Sequence, residues 1–196
     1  MRTRTATIKR KTKETDITIT VNLDGTGKYQ VDTGIGFLNH MLELFSKHSL
    51  IDLMLSVKGD LNVDEHHTIE DVGICLGEAL RKAIGNKKGI ERYGFLLPMD
   101  EALAEVAIDL SGRPYLVWNV NFKREKISDM PTELFEDFFK SIADSLQANI
   151  HINVKYGRNE HHIAESIFKA FARALRFAVS RDKRAKDLLP STKGKL

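Results

Sequence analysis

The sequence predicts an α+β fold built by internal duplication: two similar halves, each a mostly antiparallel sheet with two helices packed on one face. Three observations carry that expectation. A strand-like segment, "TDITITVNLDG", returns as "LAEVAIDLSG"; a pair of adjacent histidines in "DEHHTIED" returns in "NEHHIAES"; and the segments around them follow the same order both times.

The chain's 196 residues, 42% of them hydrophobic, suffice for one compact domain or two small fused halves. Thirty Lys and Arg against 27 Asp and Glu leave a net charge of +3, spread along the chain, which suits a small anionic substrate without demanding a polyanion surface. No apolar run nears the roughly 20 residues of a membrane span. The basic stretch "MRTRTATIKRKTKET" leads into no apolar secretion core, so a soluble, cytoplasmic protein is expected. The single cysteine, Cys75, lies in the apolar pattern "VGICLGEAL" and reads as a buried structural thiol. Any metal site must then use nitrogen and oxygen ligands.

In "TDITITVNLDG", Ile17, Ile19, Val21 and Leu23 fall on one face ahead of an Asp-Gly turn, the pattern of a half-buried strand. "GFLNHMLELFSKHS" reads as a helix and "LIDLMLSVKG" as a short strand. From His66, apolar residues at Ile69, Val72, Leu76, Leu80 and Ala83 take helical spacing. The second half repeats the series: a strand with Ala104, Val106, Ile108 and Leu110 inward, a helix in "PTELFEDFFKSIADSLQ", a strand in "ANIHINVKYG", and a helix from His161 with Ala164, Ile167, Phe171, Leu175 and Ala178. The first strands are offset by 87 residues, which carries Glu14 onto Glu101; the His-His helices are offset by 95, so the second half gains eight residues in between. The join falls near "GIERYGF", giving closely packed halves at 1–92 and 93–180 and a basic tail at 181–196.

On a helix, residues four apart share a face, whereas neighbours diverge by about 100°. His66 can therefore share a ligand with Glu70, and His161 with Glu165, while His67 and His162 point elsewhere. The economical arrangement has two metals. Each takes an imidazole and a carboxylate from one helix and the neighbouring imidazole from the other, within one chain or between subunits. His40 in "GFLNHML" and His151 in "NIHINV" would complete the sites, giving three nitrogens and one oxygen per metal and leaving positions open to water or substrate. One such His/Glu spacing is usually a surface pair of small energetic value; its repetition in matching context is what favours metal. Asp71 faces Ser166 in the repeat, so the glutamate is the carboxylate both copies keep. His48 reads as a polar residue near a helix end, with a substrate contact left open. The His-Glu-x-x-His of metalloproteases is absent, and the Glu-x-x-His of di-iron bundles runs in the opposite sense. Manganese, zinc and iron all fit the ligands.

The segments "KETDITITVNLDGTG", "GFLNHML", "DEHHTIEDVG", "GIERYG", "MDEALAEVAIDLSGRPYL", "NEHHIAESIFKAFARAL" and "PSTKGKL" together span nearly the whole chain. In that order they resemble the imidazoleglycerol-phosphate dehydratase family of histidine biosynthesis. Two departures stand out: Asn39 precedes His40 where the family more usually has Asp, and Ser166 follows Glu165 where it has Ala. The first bears on the surroundings of His40; neither removes a proposed ligand.

The resemblance implies a hydro-lyase with two Mn2+ ions that converts D-erythro-imidazole glycerol phosphate to imidazole acetol phosphate and water. It implies an imidazolate held between the metals, loss of the hydroxyl to give a diazafulvene-like intermediate, and removal of the next carbon's proton by a carboxylate base, Glu14. Arg92, Arg113, Lys169, Ser191 and Lys193 match the family's phosphate-binding positions, which would order the tail over the active site. Without the resemblance, Glu14 reads as a strand-edge charge, Arg92 and Arg113 as turn charges and the tail as frayed. Family members form a 24-subunit shell with ligands shared between neighbours; no nucleic acid or membrane partner is implied. The rival readings are a metal-dependent hydrolase and a metal-scaffolded oligomer, distinguished by ester or amide turnover and by the lack of exchangeable ligand positions. A nucleic-acid role ranks last, because no aromatics interleave with the basic ends. A fused phosphatase activity is not expected.

Overall fold

The computed structural model describes residues 4–182, 184, 185 and 188–194. The first half contains β1 (Thr5–Lys11), β2 (Thr15–Asn22), β3 (Tyr29–Asp32), α1 (Gly36–Ser49), β4 (Asp52–Gly59) and α2 (His66–Ile84). The alternation in β2 is realised: Ile17, Ile19 and Val21 are buried and Asp16 and Thr18 exposed. That places β2 in the middle of its sheet, antiparallel to both β1 and β4, with β3 parallel to β4 at the far edge.

The second half contains β5 (Tyr93–Met99), β6 (Ala102–Asp109), β7 (Tyr115–Asn119), β8 (Lys126–Ile127), β9 (Met130–Pro131), α3 (Leu134–Leu146), β10 (Asn149–Tyr156) and α4 (Glu160–Ala178). Its sheet runs β5-β6-β10-β7, the counterpart of β1-β2-β4-β3, and again only the last pair is parallel. The expected fold class is borne out in both halves.

Helix α2 packs on β1 and β2, and α4 on β5 and β6; α2 also packs on α3, and α1 on α4. Each helix pair thus joins one half to the other, and the buried apolar residues form one cluster spanning both. Phe45 of α1 stacks on Phe171 of α4 with centroids 5.7 Å apart, while Phe135, Phe138 and Phe139 of α3 crowd around Phe168. This shared core is what brings α1 to the histidine-bearing end of α4.

Two details differ from the sequence expectation. Helix α3 begins at Leu134, because Pro131 sits in β9 and pairs with Lys126 of β8. This small hairpin lies within the segment 120–133 that links β7 to α3, where the first half passes almost directly from β3 into α1. The edge strand β1 alternates too, but only Ala6 on its inward face is fully buried, with Ile8 and Arg10 partly covered. Among the described residues, no helix is long and apolar enough to cross a membrane.

Candidate metal centre and phosphate pocket

Both His-His helices start just after the end of a central strand, and a glycine there lets them approach. A Cβ on Gly59 would lie 2.0 Å from Thr68 Oγ1, and one on Gly157 would lie 2.6 Å from Ile163 Cγ1. Any side chain at either glycine would push the first turn of the helix outward. The residue two places before each leading histidine then caps it: Asp64 Oδ1 accepts the His66 N–H at 2.9 Å, and Asn159 Oδ1 accepts the His161 N–H at 3.0 Å. The helix starts at the two His-His segments were expected from the sequence, but the capping by Asp64 and Asn159 was not.

On α4, His161 and Glu165 meet as their spacing predicts, with Nε2 3.2 Å from Oε1. Helix α1 adds His40, whose Nε2 lies 2.9 Å from the same oxygen. The ligand atoms of the three residues fall within 4.8 Å of one another. Phe37 sets its ring edge-on to both imidazoles, at 6.4 Å from His40 and 5.2 Å from His161. The other oxygen, Glu165 Oε2, accepts from Lys169 Nζ at 2.7 Å. Burial alone would raise the pKa of Glu165, but Lys169, His40 and His161 together outweigh it and hold the carboxyl down to about 2. An ionised oxygen facing two imidazole nitrogens is a donor set that fits a borderline-to-hard divalent cation.

The start of α1 is held from the other half of the molecule. Asp129, in the β8–β9 turn, accepts the N–H groups of Gly36 at 2.6 Å and Phe37 at 2.9 Å. Asn39 Oδ1 accepts from the Thr33 N–H and Oγ1 at 2.9 and 2.7 Å, so the residue that departs from the family pattern secures the chain before α1.

His67 and His162 turn to other partners. His67 Nδ1 lies 3.1 Å from Asp60 Oδ2, and His162 Nδ1 lies 2.8 Å from Glu101 Oε2. Those bonds raise the pKa of each imidazole. Glu101 is lowered to about 2 by His162 and by backbone N–H donors. Glu14 Oε1 sits 3.8 Å from His67 Nε2 and Asp100 Oδ2 sits 3.9 Å from His162 Nε2. Asp100 adopts a left-handed φ of 46°, which Asp tolerates, in the turn that delivers Glu101 to β6. Asp60 was missed in the sequence, and Glu101 was read as a structural repeat of Glu14.

His66, Glu70 and His151 do not gather into such a group within one chain. His66 is half-buried with its ring 6.2 Å from that of His67, Glu70 is exposed, and His151 is exposed on β10 with Tyr115 6.5 Å away. Asp71 is occupied elsewhere: it accepts from Arg10 Nε at 2.9 Å and from Thr15 Oγ1 at 2.5 Å, tying α2 to the sheet. Cys75 is buried, and burial pushes its thiol up to about 12.

A second feature is a cavity of about 420 Å³ lined by Arg92, Tyr93, Arg113, Ser191, Thr192 and Lys193. Arg92 has a left-handed φ of 74°, a sparsely populated conformation for a residue with a Cβ, and its N–H reaches Ala178 O at 2.8 Å. Its guanidinium pairs with Asp109 and donates through Nη1 to Pro190 O at 2.8 Å, while the Gly89 N–H holds Leu188 O at 3.1 Å. The tail is thereby drawn over Arg92. Residues 183, 186, 187, 195 and 196 of that tail lie outside the described residues. Lys169 does not line this cavity; it sits on Glu165 and on Met99 Sδ. Nor does His48, whose pKa is lowered by burial and by the nearby Lys169 and Arg173 charges. The anticipated phosphate set therefore divides: Arg92, Arg113, Ser191 and Lys193 line the cavity, Lys169 sits on Glu165, and His48 lies away from the cavity.

A model of the imidazoleglycerol-phosphate dehydratase family matches residues 33–175. The chain is 57% identical over 194 residues to the imidazoleglycerol-phosphate dehydratase of Gluconacetobacter diazotrophicus, covering 98% of each. It is 60% identical over 193 residues to the histidine biosynthesis bifunctional protein HisB of Spirosoma linguale, where it covers 98% of this chain and spans half, 50%, of that protein. Among solved structures it is similar to the imidazoleglycerol-phosphate dehydratase of Staphylococcus aureus, with a TM-score of 0.83, 40% identity, and coverage of 91% of this chain and 99% of that one. The Pyrococcus furiosus enzyme, solved in complex with (S)-C348, gives a TM-score of 0.82 at 37% identity, covering 96% of this chain and 100% of that one. With the repeated fold, the histidine-bearing helix starts and these matches in agreement, the chain belongs to the imidazoleglycerol-phosphate dehydratase family, the hydro-lyases of histidine biosynthesis.

Proposed function

We propose that the chain dehydrates D-erythro-imidazole glycerol phosphate to imidazole acetol phosphate as a cytoplasmic, manganese-dependent enzyme. The observation that carries this reading is the convergence of His40 and His161 on one ionised oxygen of Glu165. These three would hold one metal, with His67 offering a fourth ligand; His66, Glu70, His151 and His162 would hold the other. When bound, two divalent ions would keep the substrate imidazole deprotonated and rich in electrons beside the carbon that bears the leaving hydroxyl.

The chain's own groups supply the rest. Glu14 is half exposed, with Oε1 3.8 Å from His67 Nε2 and, among the described residues, no shorter ion pair, a suitable acceptor for the proton on the next carbon. Arg113, Lys193, Ser191 and the unspent N–H groups of Arg92 would grip the phosphate at the other end of the substrate. Lys169 keeps Glu165 ionised and lies where a second cation could reach the substrate. Because His66, Glu70 and His151 stay apart within one chain, a neighbouring subunit would complete that site, in keeping with a 24-subunit assembly.

The test is turnover of imidazole glycerol phosphate by protein stripped of metal and then reloaded with manganese. Ketone formation only after reloading supports the reading. No turnover with two metals bound per chain overturns it and favours a scaffold role.

A further inference from the structure

We infer that Asp60 and Glu101 are positioning residues: each accepts a hydrogen bond from the Nδ1–H of one histidine, His67 or His162, and so presents that histidine's Nε2 lone pair to a metal. The inference rests on the metal reading above and deepens it. Asp60 places both oxygens 3.1 and 3.3 Å from His67 Nδ1, and Glu101 places Oε2 2.8 Å from His162 Nδ1. A carboxylate can only accept here, so the proton sits on Nδ1 and the neutral ring is left with its acceptor at Nε2. Among the described residues no hydrogen bond is made at that atom: Glu14 and Asp100 lie 3.8 and 3.9 Å away, beyond hydrogen-bond range.

The two halves reach this result by different routes. Glu14 and Glu101 occupy equivalent places just before β2 and β6. Gly59 and Gly157 are likewise equivalent, each packed against the first turn of its helix, so the following residues, Asp60 and Arg158, correspond. Arg158 offers no acceptor. In the second half Glu101 therefore does the orienting, its Oε1 also holding the Asn159 N–H at 2.9 Å. In the first half Asp60 orients His67, which leaves the Glu14 carboxylate uncommitted. The division explains how one repeated glutamate can serve the reaction while its twin serves the ligand.

The test is manganese binding to the metal-stripped full chain, titrated with MnCl2 while free ion is followed by electron paramagnetic resonance. Wild type is expected to bind two ions per chain. Asp60→Asn weakens one of them by about ten- to a hundredfold and Glu101→Gln weakens the other by a similar factor. In a His67→Ala background Asp60→Asn has no further effect, and in a His162→Ala background Glu101→Gln has none. Unchanged affinity in Asp60→Asn, or a full effect persisting after the histidine is removed, overturns the inference. Glu101→Gln also disturbs backbone contacts, so Asp60→Asn carries the test if that variant fails to fold. Wild type binding no manganese would overturn the metal reading itself, and this inference with it.

Discussion

His40 Nε2 lies 2.9 Å from Glu165 Oε1, although 125 positions separate the two residues and they belong to opposite halves of the duplication. The contact exists because α1 packs on α4 through the shared core, and it concentrates two imidazoles and one negative charge at a single point. Removing the charge should empty that point. Glu165→Gln is expected to lower bound manganese from two ions per chain to one, measured by equilibrium dialysis, with a loss of affinity exceeding the roughly 10–100-fold typical of an outer partner.

Glu14 tests chemistry apart from binding. Glu14→Gln should reduce kcat by about 10²–10⁴-fold, the usual contribution of a positioned base. Manganese stoichiometry and KM should stay near wild type. A variant that lost metal instead would assign Glu14 to the ligands.

Acid should weaken the metal-free protein in a defined window. The Glu165 pKa is lowered from 4.5 to about 2 in the folded state, where Lys169, His40 and His161 outweigh burial. A depressed carboxyl contributes stability above its unfolded value, and that contribution disappears as pH falls toward the folded value. Urea midpoints should therefore drop between about pH 4.5 and 2, and drop less in Glu165→Gln, whose side chain takes up no proton.

The cavity around Arg92 should govern affinity for the phosphate end. Arg113→Ala and Lys193→Ala each remove a charged hydrogen-bond donor, worth about 1.5–3 kcal/mol. Steady-state kinetics should show KM raised by roughly tenfold or more with kcat little changed. An unchanged KM in both variants would move the phosphate site elsewhere.

Asp129→Ala removes the cap on α1. A cost of about 0.5–2 kcal/mol is expected in urea unfolding, as for other helix caps. Manganese affinity at the His40 site should fall too, because His40 lies in the second turn of that helix.

The central strands and the four helices were legible because burial leaves a period in the sequence: Ile17, Ile19 and Val21 alternate, and Ile69, Val72, Leu76 and Leu80 recur at helical spacing. Edge strands escaped notice because their inward face carries few large apolar residues; β1 sets Ala6, Ile8 and Arg10 on that face, with Lys9 and Lys11 on the other. The same limit applies at the site. His161 and Glu165 meet through local geometry that spacing specifies. His40 reaches them through tertiary packing, and no periodicity announces a contact across halves. Asp60 had one available signal, the mismatch with Arg158 after equivalent glycines, but it becomes meaningful only once His67 Nδ1 is seen to need an acceptor.

The β8–β9 hairpin is present in one half only, yet its Asp129 satisfies the first N–H groups of a helix in the other. A duplicated gene begins with interchangeable copies, and this contact marks where interchangeability ended. Two copies of the first half alone would form an incomplete pair, each with α1 starting on bare backbone donors. The presence of the second half is therefore a requirement for the present architecture, because the helix that delivers His40 now depends on a segment its own repeat does not encode.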